Sequence, residues 1–122
     1  MKQPPRGEQL QAFKAEFFKA LAHPTRIRIL EILVRGERTV YELQETLGLD
    51  QPSVSQQLAV LRAKNIVAAH KEGTTVRYAV RDASLRELLA AARRLFDNQL
   101  IGTQTMLREL RREAGRRQTR SN

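Results

Sequence analysis

Apolar residues change their spacing several times along this chain, and each change marks an element. From about Glu8 to Ala22, Leu10, Phe13, Phe17, Phe18 and Leu21 recur at intervals of mostly three and four. That is the period of a helix with one apolar face. His23-Pro24 interrupts the run, because a residue preceding proline avoids helical angles. Pro24 suits the first turn of a second helix reaching about Arg35. Its residues Ile27, Ile29, Leu30, Ile32, Leu33 and Val34 leave little polar face, which predicts a central place in the core. Gly36 ends it.

Thr39 and Glu42 stand in the spacing of a capping box and open a short helix with Val40, Leu43 and Leu47 facing inward. Gly48 closes it, Leu49-Asp50 forms a tight connection, and a new helix follows to about Lys64. Pro52 lies in the first turn of that helix, and Val54, Leu58 and Leu61 lie on its inner face. Two short helices joined by so brief a turn form a helix-turn-helix. Residues 66–71 and 76–80 are β-prone runs flanking Glu72-Gly73-Thr74-Thr75, and they predict a hairpin. In the second run Val76, Tyr78 and Val80 alternate with Arg77 and Ala79, the period of a half-buried strand.

Asp82 and Ser84 offer N-caps to a last helix, with Ser84 and Glu87 spaced as a second capping box. Apolar positions from Leu85 to Leu110 hold helical spacing for roughly 40 Å at about 1.5 Å per residue. So much apolar surface exceeds what a core of this size covers, which points to a second copy of the chain. The expected contacts are Leu10, Phe13 and Phe17 of the first helix and Leu88, Leu95, Phe96, Leu100 and Leu107 of the last. The fold class is therefore mainly α with a small β-hairpin: a winged helix-turn-helix that dimerises through its first and last helices. Residues 1–7, with Pro4, Pro5 and Gly7, read as a flexible arm; 8–113 form the domain; 114–122 read as a basic disordered tail.

Composition narrows the chemistry. The chain has 122 residues, a net charge of +9 and no cysteine. Disulfides, thiolate metal sites and cysteine nucleophiles are excluded. No stretch reaches the roughly 18 apolar residues of a membrane span, and the N-terminus lacks the apolar run of a secretory signal. A cytoplasmic protein with no membrane partner is the expectation. Phosphate-loop, dinucleotide and zinc-protease motifs are absent, so an enzyme is not expected. Positive charge on a small domain points first to nucleic acid. Yet six arginines against two glutamates fall in residues 108–122, where they serve either as a solvated end or as contacts to DNA backbone.

The stronger signal for DNA is uncharged. A recognition helix lies in the major groove and reads with its first turns. The polar face here carries Gln51, Ser53, Ser55, Gln56 and Gln57. Glutamine bonds adenine at N6 and N7 together, and serine bonds several bases or phosphate. Arg62 and Lys64, near the helix end, suit phosphates. The hairpin supplies Lys71, Thr74, Thr75 and Arg77 as a wing, with Lys71 or Arg77 suited to a narrow minor groove. For Arg77 the alternative is a strand-face pair with Glu72. The expected partner is a double-stranded DNA operator; architectural, non-specific DNA binding is the competing class.

Three stretches together resemble the ArsR/SmtB family of bacterial transcriptional regulators: FFKALAHPTRIRILEIL (17–33), TVYELQETLGLDQPSVSQQLAVLRAKNIV (39–67) and EGTTVRYAV (72–80). The resemblance spans roughly residues 13–100. It implies a dimeric repressor that binds an operator and changes its grip when an effector binds, and it implies a structural role for Arg26. It does not carry over a sensor. Where the family's metal box has cysteines, this chain reads Thr39-Val40-Tyr41-Glu42-Leu43, and its last helix has Asp97, Asn98 and Gln99 with no histidine. The metal reading that stays open is a nickel or zinc site of nitrogen and oxygen ligands, for which His23 and His70 are the candidates. The bland reading makes His23 a helix-junction residue.

Overall fold

The computed structural model describes residues 7–121, with side chains through Arg117. Residues 1–6 of the expected arm lie outside the described residues, while Gly7 opens the first helix. The elements are α1 (Gly7–Leu21), α2 (Pro24–Leu33), β1 (Arg38–Thr39), α3 (Val40–Leu47), α4 (Gln51–Ala63), β2 (Val67–Glu72), β3 (Thr75–Val80) and α5 (Ser84–Ser121). They cluster into two compact units, divided after Arg86.

In the first unit α2, α3 and α4 pack on one another, and α4 also rests on β2. The core is Ile29, Leu30 and Leu33 from α2, Leu43 and Leu47 from α3, and Val54, Leu58 and Leu61 from α4, completed by Ala20, Ile66, Val67 and Leu85. A leucine or isoleucine taken fully out of water contributes about 1.5–3 kcal/mol, so this cluster holds α4 in place. Ile27 departs from expectation: it is exposed although α2 as a whole is central.

Caps settle where the helices start. His23 is the N-cap of α2, its Nδ1 accepting from the Thr25 N–H at 3.1 Å. The capping box of α3 is complete, with Thr39 Oγ1 accepting from the Glu42 N–H and Glu42 Oε1 accepting from the Thr39 N–H. Gly48 ends α3 at φ 68°, a left-handed conformation that favours glycine. Asp50 caps α4 by accepting from the Ser53 N–H at 2.8 Å. Before α5 it is Asp82 that accepts from the Ser84 N–H at 2.9 Å; the Ser84–Glu87 box is not among the described hydrogen bonds.

The hairpin pairs β2 with β3 antiparallel, from Val67 opposite Val80 to Glu72 opposite Thr75. Its turn contains Gly73 at φ 65°. The structure adds a third strand absent from the sequence reading. β1 pairs antiparallel with β3, Arg38 opposite Tyr78 and Thr39 opposite Arg77, giving the order β1-β3-β2. The second unit is α5 from Glu87 onward. It runs on through Gly115 to Ser121, where the composition had led to an expectation of disorder over 114–122. Leu95, Phe96, Leu100, Ile101, Met106, Leu107 and Leu110 are exposed on it. No helix among the described residues is long and apolar enough to cross a membrane.

Candidate nucleic-acid interface

The buried stripe Val54, Leu58 and Leu61 turns the opposite side of α4 to solvent. Gln56 is exposed there and Gln51 is exposed at the helix start, with Ser53 and Gln57 half-buried on one flank and Ser55 on the other. Gln51 Nε2 donates to Ser55 Oγ at 2.7 Å, one turn along. Gln56 has no described hydrogen-bond partner and is free to bond a ligand. Gln57 is tied at one end: its Oε1 accepts from Arg26 Nη1 at 3.2 Å. The polar face thus divides into a free residue, a locally bonded pair and a residue tied to α2.

The wing joins α4 through β2. Lys71, Thr74 and Thr75 are exposed around the turn. Arg77 is held between two carboxylates, 3.3 Å from Glu72 and 3.8 Å from Glu42. The strand-face pair with Glu72 weighed from sequence therefore forms, and Glu42 joins it through the β1–β3 contact, which sequence did not reveal. Lys64, expected at phosphate, lies 3.4 Å from Glu16 of α1. All three ion pairs are partly exposed, and such pairs contribute at most about 1 kcal/mol each. Neither cation is locked to its glutamates.

Between α4 and β3 lies an open hollow of about 350 Å³, lined by Ser55, Leu58, Ala59, Arg62, Ala63 and Tyr78. A hydroxyl, a guanidinium and a phenol border its apolar floor, and the bonding partners are donors suited to an anion. Sequence reasoning assigned Arg62 and Ser55 to DNA but overlooked Tyr78. The period-two pattern placed Tyr78 on the inner strand face, and only the tertiary structure, in which α4 rests on β2 and β2 pairs with β3, brings it to the border of this opening.

The histidines are separated. His23 uses Nδ1 in its cap, the helix-junction role weighed from sequence. His70 Nε2 lies 3.4 Å from Glu37 Oε2. Among the described residues no three His, Asp or Glu side chains gather in an arrangement that could hold a metal ion. Of the residues expected to meet a second copy, Leu10, Phe13, Leu95, Phe96, Leu100 and Leu107 are exposed, while Phe17 and Leu88 are half-buried.

Residues 23–69 match the model of the bacterial regulatory proteins of the arsR family. The chain is 46% identical over 106 residues to the HTH-type transcriptional regulator Rv0081 of Mycobacterium tuberculosis, covering 86% of this chain and 93% of the relative. The chain belongs to the ArsR family. It is a transcriptional regulator of the winged helix-turn-helix type. The crystal structure of Rv0081 superposes with a TM-score of 0.73 over 80% of this chain and 98% of that one. A second similar structure is that of the homodimeric winged helix-turn-helix DNA-binding domain of Mb0332 from Mycobacterium bovis. It matches at 31% identity and a TM-score of 0.71, covering 80% and 91% of the two chains. The biofilm growth-associated repressor of Xylella fastidiosa Temecula1 is 36% identical over 85 residues, 70% of this chain and 75% of the relative.

Proposed function

We propose that this ArsR-family protein is a homodimeric, sequence-specific repressor. It inserts α4 into the major groove of a DNA operator and holds the flanking backbone with the β2–β3 wing. The observation that carries the reading is the exposed, uncharged Gln51–Gln57 face standing beside a hydroxyl- and guanidinium-bordered hollow. A surface built only for charge would carry lysine and arginine at those positions; here α4 has none before Arg62. Glutamine and serine bond base edges, so affinity becomes sequence-dependent.

Within this scheme Gln56 contacts bases, and Gln51 and Ser53 stand near them at the helix start. Ser55, Arg62 and Tyr78 receive a phosphate at the hollow. Lys71, Thr74 and Thr75 approach the next backbone segment, and Lys64 and Arg77 exchange their glutamates for phosphate. The apolar residues exposed on α1 and α5 support association with a second copy, as does the homodimeric state of Mb0332. A dimer reads two half-sites and squares its discrimination. The repressor name carried by the Xylella relative favours repression over activation.

The test is recovery of genomic DNA fragments on the full-length protein, followed by titration of the recovered fragment against a scrambled one. The reading expects a shared, two-fold symmetric sequence that binds at least a hundredfold tighter than the scrambled DNA. Equal affinity for both would overturn it in favour of architectural binding.

A further inference from the structure

One guanidinium joins three helices. Arg26, in the first turn of α2, donates from Nε to the Ala20 carbonyl of α1 at 2.7 Å. From Nη1 it donates to Oε1 of Gln57 in the middle of α4 at 3.2 Å. Arg26 and Gln57 are both half-buried, so water competes only in part for these bonds.

A guanidinium carries five N–H donors and no acceptor. It can face only the oxygen end of a carboxamide. The orientation of the Gln57 amide therefore follows from its partner: oxygen toward Arg26, and the NH2 group turned away. Glutamine that reads adenine uses both ends, donating to N7 and accepting from N6. The oxygen keeps a second lone pair, but that end of the amide is held toward Arg26, so the NH2 group is the end that Gln57 presents outward. Gln56, next in sequence, is exposed and has no described partner, so both ends of its amide are available.

We propose that Arg26 is a specificity-determining positioning residue. By holding the Gln57 oxygen, it makes Gln57 a donor-only reader that selects a base edge presenting acceptors, guanine or thymine, and it leaves two-ended reading of adenine to Gln56. The inference rests on the reading of DNA by α4 proposed above. The same guanidinium links α4 to the end of α1.

The experiment is selection of binding sites from randomised duplex DNA by the full-length protein and its variants, with circular dichroism to confirm folding. Gln57→Glu keeps the oxygen facing Arg26 and replaces the outward NH2 by an acceptor. At one position per half-site the selected base should shift to cytosine, whose N4 is a donor, and affinity for the original operator should fall about ten- to hundredfold. Arg26→Gln frees the amide to turn over, so that position should accept adenine as well, with low-salt binding to non-specific DNA unchanged. Arg26→Lys, which retains a donor, should restore most of the preference. Should Arg26→Gln fail to fold, Gln57→Glu still decides, since it preserves both Arg26 contacts. A wild-type preference at every position in Gln57→Glu overturns the inference. If the unaltered protein selects no sequence at all, the operator reading falls with it; if it selects one that Gln56→Ala abolishes and Gln57→Glu leaves intact, only the inference falls.

Discussion

Three carboxylates do similar work at the starts of helices. The Thr39 backbone N–H holds the Glu42 carboxyl below its usual range, helped by the Thr39 hydroxyl and by Arg77 and Arg38. Hydrogen bonds from Ser53 do the same for Asp50, and those from Ser84 for Asp82. A group whose pKa is lower folded than unfolded stabilises the fold above its ordinary range, and this contribution is lost as pH falls through the folded value. The unfolding midpoint in urea should therefore drop on acidification through and below the ordinary carboxylate range. Asp50→Asn retains a cap at neutral pH and should show a smaller acid-induced fall; an identical pH profile would remove Asp50 from the account. Gln56→Ala should reduce operator discrimination by about 1–3 kcal/mol per half-site while low-salt binding to scrambled DNA stays the same, as read by competition titration. The Thr39–Glu42 box was legible because its pattern is local. The tie of Gln57 to Arg26 was not, since the two residues are 31 apart in sequence and meet only when α2 packs on α4.

At the scale of elements, periodicity located α1 to α5 and the hairpin to within a few residues, apart from the end of α5. It missed β1 because a two-residue strand has no period; β1 exists only where Arg38 and Thr39 lie beside β3. That small strand has a consequence. It brings Glu42, at the start of α3, to Arg77 on β3 and so ties the helix-turn-helix to the wing. The core beneath is less forgiving. Leu43 is fully buried where α3 packs on α2 and α4. Leu43→Ala should cost about 2–5 kcal/mol in chemical denaturation, and operator binding should fail at temperatures where the wild-type protein still binds. The far end of α5 shows the opposite limit. Gly115 and the arginine-rich composition suggested an end to order, yet the helix runs to Ser121. Helix propensity penalises one glycine by only about 1 kcal/mol, too little to outweigh the long run of good helix formers before it.

For the whole molecule, what stands out is the exposed apolar surface of α1 and α5. Phe13 is 67% exposed on α1, and Leu100 is 61% exposed on α5. We expect light scattering to give twice the 14.0 kDa chain mass. Leu100→Glu combined with Leu107→Glu should halve that mass and weaken operator binding, because a single half-site then has to hold the protein alone. A wild-type protein of single-chain mass at micromolar concentration would exclude α5 as the basis of association. The five helices, the hairpin, most of the core and the uncharged face of α4 are legible in the amino-acid sequence. These depend on spacing and caps, and on interactions that act within a few residues of the chain. Tertiary structure alone decided which members of that face are free. Arg26 holds Gln57, Glu16 lies against Lys64 and Glu42 reaches Arg77 because distant segments pack together, and no local pattern encodes a contact whose partners are set by packing.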